Sequence, residues 1–395
     1  MRRLLHLDGL RGWAALFVIL HHLELGFFPA IKGSNDGVSP ILGPFSFLVD
    51  GPLAVAIFFL LSGIVLAEAV EAARRRYGAQ KIGLTSLVVK RWLRLGLPII
   101  VTGLLILILF ISIGNRTTEA SAVAGSDWMH TLFPPGYHPH FLDVLRETTI
   151  GAFVGPQTPV HDPVLWTIRV EFMGSILVFL LCLFIPSGFA RLAACAISGM
   201  LLIAVPAWLP NFCALFAVGV ALHDLAAHMQ HRIDRHQLVC DVLGLAAILT
   251  ATMLYPVLNL LVPDLMDRLG SLADPLGHMS QWTARSILIV AGTLISPTAQ
   301  SFLSLPISLF LGRVSFGLYL LHLPVLFSLG IASYLAIEPV QGATLAAGVA
   351  SLLVLSTSLA GALVFHHLIE RPSIRLAGKA GALASPRTGE TLAGG

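Results

Sequence analysis

The sequence predicts an all-α, polytopic membrane protein, a helix bundle of about ten transmembrane helices with both termini on the cytoplasmic side. Three observations predict it. Only 11% of the 395 residues are charged and 56% are hydrophobic, against about 25% charged in soluble domains, so a water-soluble fold of this length would lack the charge to cover its surface. Apolar runs of about 20 residues, the length that crosses a bilayer, recur along the chain. Lys and Arg cluster in alternate connections, although the net charge is only +3.

The runs place spans at 9–28, 52–70, 95–113, 164–185, 191–208, 211–225, 240–262, 282–303, 314–337 and 342–368. Pro206, Pro210 and Pro297 cut the fifth, sixth and eighth short. The first span is preceded by Arg2 and Arg3, as in a signal peptide. Asp8 and Arg11 interrupt it, His21 and His22 follow, and no small-residue cleavage site appears, so a retained helix is expected. The connection after span two carries Arg74, Arg75, Arg76, Lys81, Lys90, Arg91 and Arg94. Arg232 and Arg235 follow span six, and Arg371, Arg375, Lys379 and Arg387 follow span ten. With ten spans these groups share one side with Arg2 and Arg3, the cytoplasmic side by the positive-inside rule. The intervening connections are poor in cations, and 263–281 instead holds Asp264, Asp267 and Asp274.

The longest connection, 114–163, is therefore expected outside, with a Pro- and His-rich run at 134–140 and an amphipathic stretch from Asp143 to Val154. Residues 1–375 form one membrane domain, and 376–395, rich in Gly, Ala, Ser and Thr, a disordered cytoplasmic tail. No internal repeat is visible. Cys182, Cys195, Cys213 and Cys240 lie in or beside apolar runs without metal-ligand spacing and read as small core residues, with no metal expected.

Ionisable groups inside a membrane cost several kcal/mol unless paired or hydrated, which makes each a candidate functional residue. Arg11 and His22 are eleven positions apart and share one face of span one, about 16 Å apart along the axis. They read either as partners in one cavity or as an interfacial anchor and an interior histidine. Glu171, one third of the way into span four, is expected at the depth of His22, in the outer half. A carboxylate beside an imidazole suits proton transfer from an acceptor hydroxyl; a structural ion pair with Arg169 or another span's charge is the alternative. Arg91 and Arg94 share a helix face beside Lys90 at the cytoplasmic surface. They read as a guanidinium fork for phosphate or as ordinary anchoring cations. Ser315, Tyr319 and His322 make a polar stripe on span nine, either functional or serving helix-to-helix hydrogen bonds. Ser62 and Gly63 read as a close-packing site, since no nucleophile elbow surrounds Ser62.

Several of these residues lie in motifs that resemble those of the membrane acyltransferase-3 family. They are Leu7-Asp8-Gly9-Leu10-Arg11-Gly12 with His22 after ten intervening residues, Phe58-Phe59-Leu60-Leu61-Ser62-Gly63, the Arg91/Arg94 pair, Trp166 to Phe172, Gly312 to Pro324, and Glu370-Arg371-Pro372. They follow the family's order and extend over residues 5–372. The resemblance implies a multi-pass enzyme of the cell (inner or plasma) membrane. It would use acetyl-CoA or another acyl-CoA as donor substrate, with no permanently bound cofactor, and acylate a hydroxyl of a surface glycan, a glycolipid or a small molecule. Arg11 and His22 would be the essential pair, Glu171 a functional acid, and Arg91, Arg94 and Lys90 the CoA contacts. His22 would act as general base or as a transiently acylated nucleophile. Where the family carries Ser-Val-Glu, this chain has Arg169-Val170-Glu171. Many members append an SGNH-type esterase domain outside the membrane; none is read after span ten here, so the protein is expected to act alone or with a separate periplasmic partner. The lipid bilayer is the other partner, and no nucleic-acid partner is expected. Intramembrane Arg, His and Glu also describe proton-coupled carriers, the rival class, though the repeated halves common in carriers are absent.

Overall fold

The positions of the helices follow from local chemistry, as a computed structural model that describes residues 5–31, 39, 41–78, 82–133, 137–155, 160–205, 207–266, 268 and 281–383 makes visible. α1 spans Leu5–Phe27. α2 (Gly51–Tyr77) starts where Asp50 accepts the Leu53 N–H at 3.1 Å and Pro52 sits in the first turn. It ends at Gly78, whose φ of +83° suits a residue without Cβ, just after Arg74, Arg75 and Arg76 at the negative end of the helix dipole. α3 (Leu84–Ile113) follows. Then come α4 (Trp166–Phe184), α5 (Phe189–Ile203), α6 (Trp208–Arg235) and α7 (Gln237–Leu249), the last continuing to Leu261. α8 (Gln281–Ile295) and α9 (Pro297–Leu303) meet at 97°, where Ser296 caps α9 and Pro297 cannot extend the α8 hydrogen-bond ladder. α10 (Pro306–Val325) runs through a π-helical turn into α11 (Ile331–Gln341), and α12 (Ala343–Phe365) runs likewise into α13 (Arg371–Leu383).

The protein is all-helical among the described residues and polytopic. Seven described helices are long and apolar enough to cross a membrane, or eight if the bent α8–α9 pair is one span. The expectation of about ten rests additionally on α1 and α5. α1 is 23 residues long but carries Asp8, Arg11, His21, His22 and Glu24, and α5 has only 15 residues.

Two further differences from the sequence reading matter. The second half of the connection 114–163 does not stay at the outer end. A helical segment, Phe141–Val154, lies along α3, with Val144 and Thr148 against Gly103. It descends until the Phe153 ring meets Trp92 and Phe172, neighbours of Arg91 and Glu171. The threonines of this segment return their hydroxyls to their own helix, Thr148 to the Val144 carbonyl at 2.8 Å and Thr149 to that of Leu145 at 2.7 Å, which hides their polarity. Residues 376–383, which the sequence reading places in a disordered tail, belong to α13. Ser373, Ala377 and Gly381 of that helix are buried, and the Ser86 hydroxyl on α3 donates to the Gly381 carbonyl. Residues 384–395, Pro134–Gly136, Lys81, Asp267, Asp274 and the first four residues lie outside the described set.

The core is built around α1, which runs parallel to α10 and between α10 and α2. A Cβ at Gly12 would collide with the Gly312 backbone, and one at Gly312 with Asp8, so the two axes approach as closely as helices can. On the other flank, Gly63 of α2 meets Gly219 of α6 in the same way. Fully buried Arg191 ties α5 to α6 and α2, bonding Asp224 at 2.7 Å and Glu71 at 2.6 Å. At the opposite end Arg285 of α8 holds the α2 cap through Asp50 at 2.7 Å.

Candidate active site

Five helices converge on one cavity of about 140 Å³. α1 contributes Arg11, α2 Phe58 and Ser62, α3 Arg91 and Arg94, α4 Thr167 and Glu171, and α10 Ser315 and Tyr319, while Glu370 closes it from the turn between α12 and α13. The remaining lining is mainly apolar, from Val55, Phe59, Leu66 and Phe316 among others. Arg91 and Glu171 form an ion pair, their side chains only 11% and 15% exposed. The Ser62 hydroxyl donates to the second Glu171 oxygen at 2.8 Å. Glu370 is held by His366 at 2.8 Å. Both carboxylates are thus engaged, while Arg11 and Arg94 have no hydrogen-bond or ion-pair partner among the described residues. Arg94 is exposed and stands at the rim.

His22 does not line this cavity. Its ring packs on His322, with centroids 4.9 Å apart, and on Trp128 from the connection after α3, at 5.3 Å. His22 Nδ1 lies 3.1 Å from His322 Nε2. Tyr319 stands between the two places: its ring edges Phe58 in the cavity wall at 5.8 Å, its hydroxyl meets that of Thr167 at 3.0 Å, and its own carbonyl receives His322 Nδ1 at 2.6 Å.

This arrangement corrects the expected depth of Glu171. α4 runs antiparallel to α10, so from the Thr167–Tyr319 contact Glu171 lies about 6 Å toward the basic end. His22 and His322 lie about 5 Å the other way. Glu171 is therefore paired with Arg91 rather than with His22, and Arg169 bonds the Gly151 carbonyl at 3.4 Å instead of Glu171. Arg11 and His22 occupy one helix but two environments, the cavity and the histidine pair. Of the expected fork, Arg91 and Arg94 line the cavity. Lys90 is exposed and packs beside Gly381 of α13. Of the α10 stripe, Ser315 and Tyr319 reach the cavity and His322 reaches His22. At the outer end, burial, reinforced by the nearby Glu147 carboxylate, pushes the Asp162 carboxyl, just before α4, up to about 8.

A family model of the acyltransferase domain matches residues 4–366, almost the whole chain. The chain belongs to the acyltransferase-3 family. It is a multi-pass membrane acyltransferase, and that decides against the carrier reading. The acyltransferase is 25% identical over 385 residues to the O-acetyltransferase PaAT-1 of Phomopsis amygdali, a similarity that covers 84% of this chain and 74% of the relative. No solved structure matches the acyltransferase.

Sequence reasoning missed Ser62 as a partner of Glu171, and Thr167 and Glu370 as cavity residues. For Ser62 and Thr167 a signal existed. Ser62 is a hydroxyl in a span otherwise apolar from Leu53 to Ala67, and Thr167 is four residues before Glu171, on the same helix face.

Proposed function

We propose that this acyltransferase is an O-acyltransferase of the cell membrane that moves an acyl group, acetyl in the first instance, from acyl-CoA to a hydroxyl of a cell-surface carbohydrate or related acceptor. The observation that carries the reading is the charge of the cavity: two guanidiniums without partners among the described residues, Arg11 and Arg94, beside a third already balanced by Glu171. Unpaired arginines facing a shared space suit a polyanion such as the phosphates of CoA. The cavity lies toward the end that the positive-inside rule places in the cytoplasm, where acyl-CoA is made. The PaAT-1 relationship supports acetyl and an oxygen acceptor.

In this reading the phosphates dock at the rim on Arg94 and Arg11. The pantetheine arm extends past Arg91 and Ser315 toward Tyr319, leaving the nucleotide behind. Apolar residues such as Phe58 and Phe316 exclude water from the thioester, which protects it from hydrolysis. Movement of Tyr319 opens the way to His22. The acceptor enters from the opposite end, where Trp128 flanks His22. His22 Nε2 takes the proton of the acceptor hydroxyl as its oxygen attacks the thioester carbonyl. The carbon–sulfur bond breaks, and the CoA sulfur leaves with that proton. Glu171 acts on the donor side by fixing Arg91, not as the partner of the base.

The test is purified protein supplied with acetyl-CoA and an acceptor extract. Release of CoA thiol only when both are present supports the reading, and thiol release that ignores the acceptor removes it. Mass spectrometry of glycans, lipids and small molecules from cells with and without the gene then identifies the acceptor by a missing acyl mass.

A further inference from the structure

We infer that His322 is a positioning residue that fixes the tautomer of His22, leaving Nε2 of His22 as a bare lone pair. The inference rests on the reading of His22 as the base and adds the means by which its reactive nitrogen is chosen.

The argument is one of hydrogen counting. His322 is fully buried on α10. Its Nδ1 lies 2.6 Å from the Tyr319 carbonyl. A carbonyl oxygen only accepts, so Nδ1 of His322 carries the proton. In the neutral ring Nε2 then has no proton and can only accept. That Nε2 lies 3.1 Å from Nδ1 of His22, so His22 must donate from Nδ1. The Val18 carbonyl, 2.9 Å from the same Nδ1, makes the same demand. Two acceptors on one nitrogen leave the other nitrogen as the basic one. Nε2 of His22 makes no hydrogen bond among the described residues, so its lone pair is free for the acceptor hydroxyl. The relay runs from a backbone carbonyl through His322 to His22, and a neutral imidazole sets the tautomer and orientation of the base, one part of what a carboxylate does in a serine hydrolase triad.

The packing explains why the pair keeps its register. α1 and α10 run parallel, and the close approach of Gly12 to Gly312 sits ten residues before the two histidines on each helix. Any residue larger than glycine there would part the helices and stretch the contact. A second tie also comes from this face, with the Trp13 indole donating to Ser308 at 3.0 Å.

The experiment compares His322→Gln, His322→Asn and His322→Leu in purified enzyme. Glutamine places an amide oxygen where Nε2 stands and can still accept from His22. Asparagine reaches only the Nδ1 position, and leucine offers nothing. The inference expects His322→Gln to stay within a few-fold of the parent. His322→Asn and His322→Leu should lose about ten- to hundredfold in kcat, with KM for acyl-CoA unchanged, since only the base is misdirected. Nitrogen NMR of histidine-labelled protein should show His22 protonated at Nδ1 in the parent and in His322→Gln, and a measurable Nε2-protonated fraction in His322→Asn, where the Val18 carbonyl is the one acceptor left to Nδ1. Equal activity of the Asn and Gln variants, or a parent His22 protonated at Nε2, overturns the inference. If His322→Leu does not fold, the Gln and Asn pair still decides. Retained transfer in His22→Ala would instead sink the base itself, and so separates failure of the underlying reading from failure of this one.

Discussion

Arg94→Gln and Arg91→Gln remove the same charge from the same helix face, yet they should behave differently. Arg94 is exposed at the rim and has no partner among the described residues. Its loss strands nothing in the protein, so only donor binding should suffer. A hydrogen bond to a charged group contributes about 1.5–3 kcal/mol, and partial solvation at the rim brings this to roughly 1–2 kcal/mol. At about 1.4 kcal/mol per tenfold, KM for acyl-CoA should rise about 5- to 30-fold with kcat and melting temperature unchanged. Arg91 differs because its loss leaves the Glu171 carboxylate, 15% exposed, with only the Ser62 hydroxyl. Breaking a buried pair from one side costs about 3–5 kcal/mol, and the Ser62 hydrogen bond places this case at the lower end. Arg91→Gln should therefore raise KM and also lower the melting temperature by several degrees. Adding Glu171→Gln should restore the melting temperature but not KM. Thiol release at varied acyl-CoA and thermal unfolding in detergent read the two effects. Identical melting temperatures for the two single variants would refute the ion-pair account, and an unchanged KM in Arg94→Gln would remove that residue from the donor site.

Four further outcomes follow from the same contacts. Ser62→Ala should cost about 1 kcal/mol and leave most activity; abolished turnover in a folded protein would make Ser62 a reacting group. Gly312→Val should part α1 from α10, where a Cβ already meets Asp8, lowering stability by about 1–3 kcal/mol or more and reducing transfer with it; a fully active, equally stable variant would contradict the packing. Arg285→Leu leaves Asp50 buried without its cation and should destabilise by about 3–5 kcal/mol, with recovery in the Asp50→Asn, Arg285→Leu double variant; no recovery would argue against that pair. Asp162 is protonated in the fold up to about pH 8 but only up to about 4 when unfolded. Its burial therefore costs nothing below that window and progressively more as pH rises through it, so Asp162→Asn should match the parent in acid and exceed it in melting temperature near pH 8. Parallel curves would contradict the buried carboxyl.

The class of fold was legible because membrane spans are written in composition and run length, which need no partner to interpret. The count was harder, because α1 is made polar by the residues it brings to its neighbours, and the α8–α9 bend depends on one Ser-Pro step. The site's residue types were legible too, since charges inside apolar spans stand out. Their pairing was not. Counting residues from span ends put Glu171 level with His22, but α3 starts at Leu84, well before its apolar run, and that carries Arg91 inward to Glu171. The inward course of Phe141–Val154 was hidden for a related reason. Its apolar face matches Gly96 and Gly103 on α3, and such a match appears only when both helices are placed. His322 showed as one member of a stripe, while its contact with His22 depends on a helix crossing set some fifteen Å away by two glycines.

Acyl transfer by His22→Ala, measured as acceptor-dependent thiol release and as acyl mass gained by the acceptor, tests the central claim most directly. The account predicts a folded protein with parental acyl-CoA affinity and turnover reduced to background. Parental turnover in that variant would place the chemistry elsewhere in the molecule.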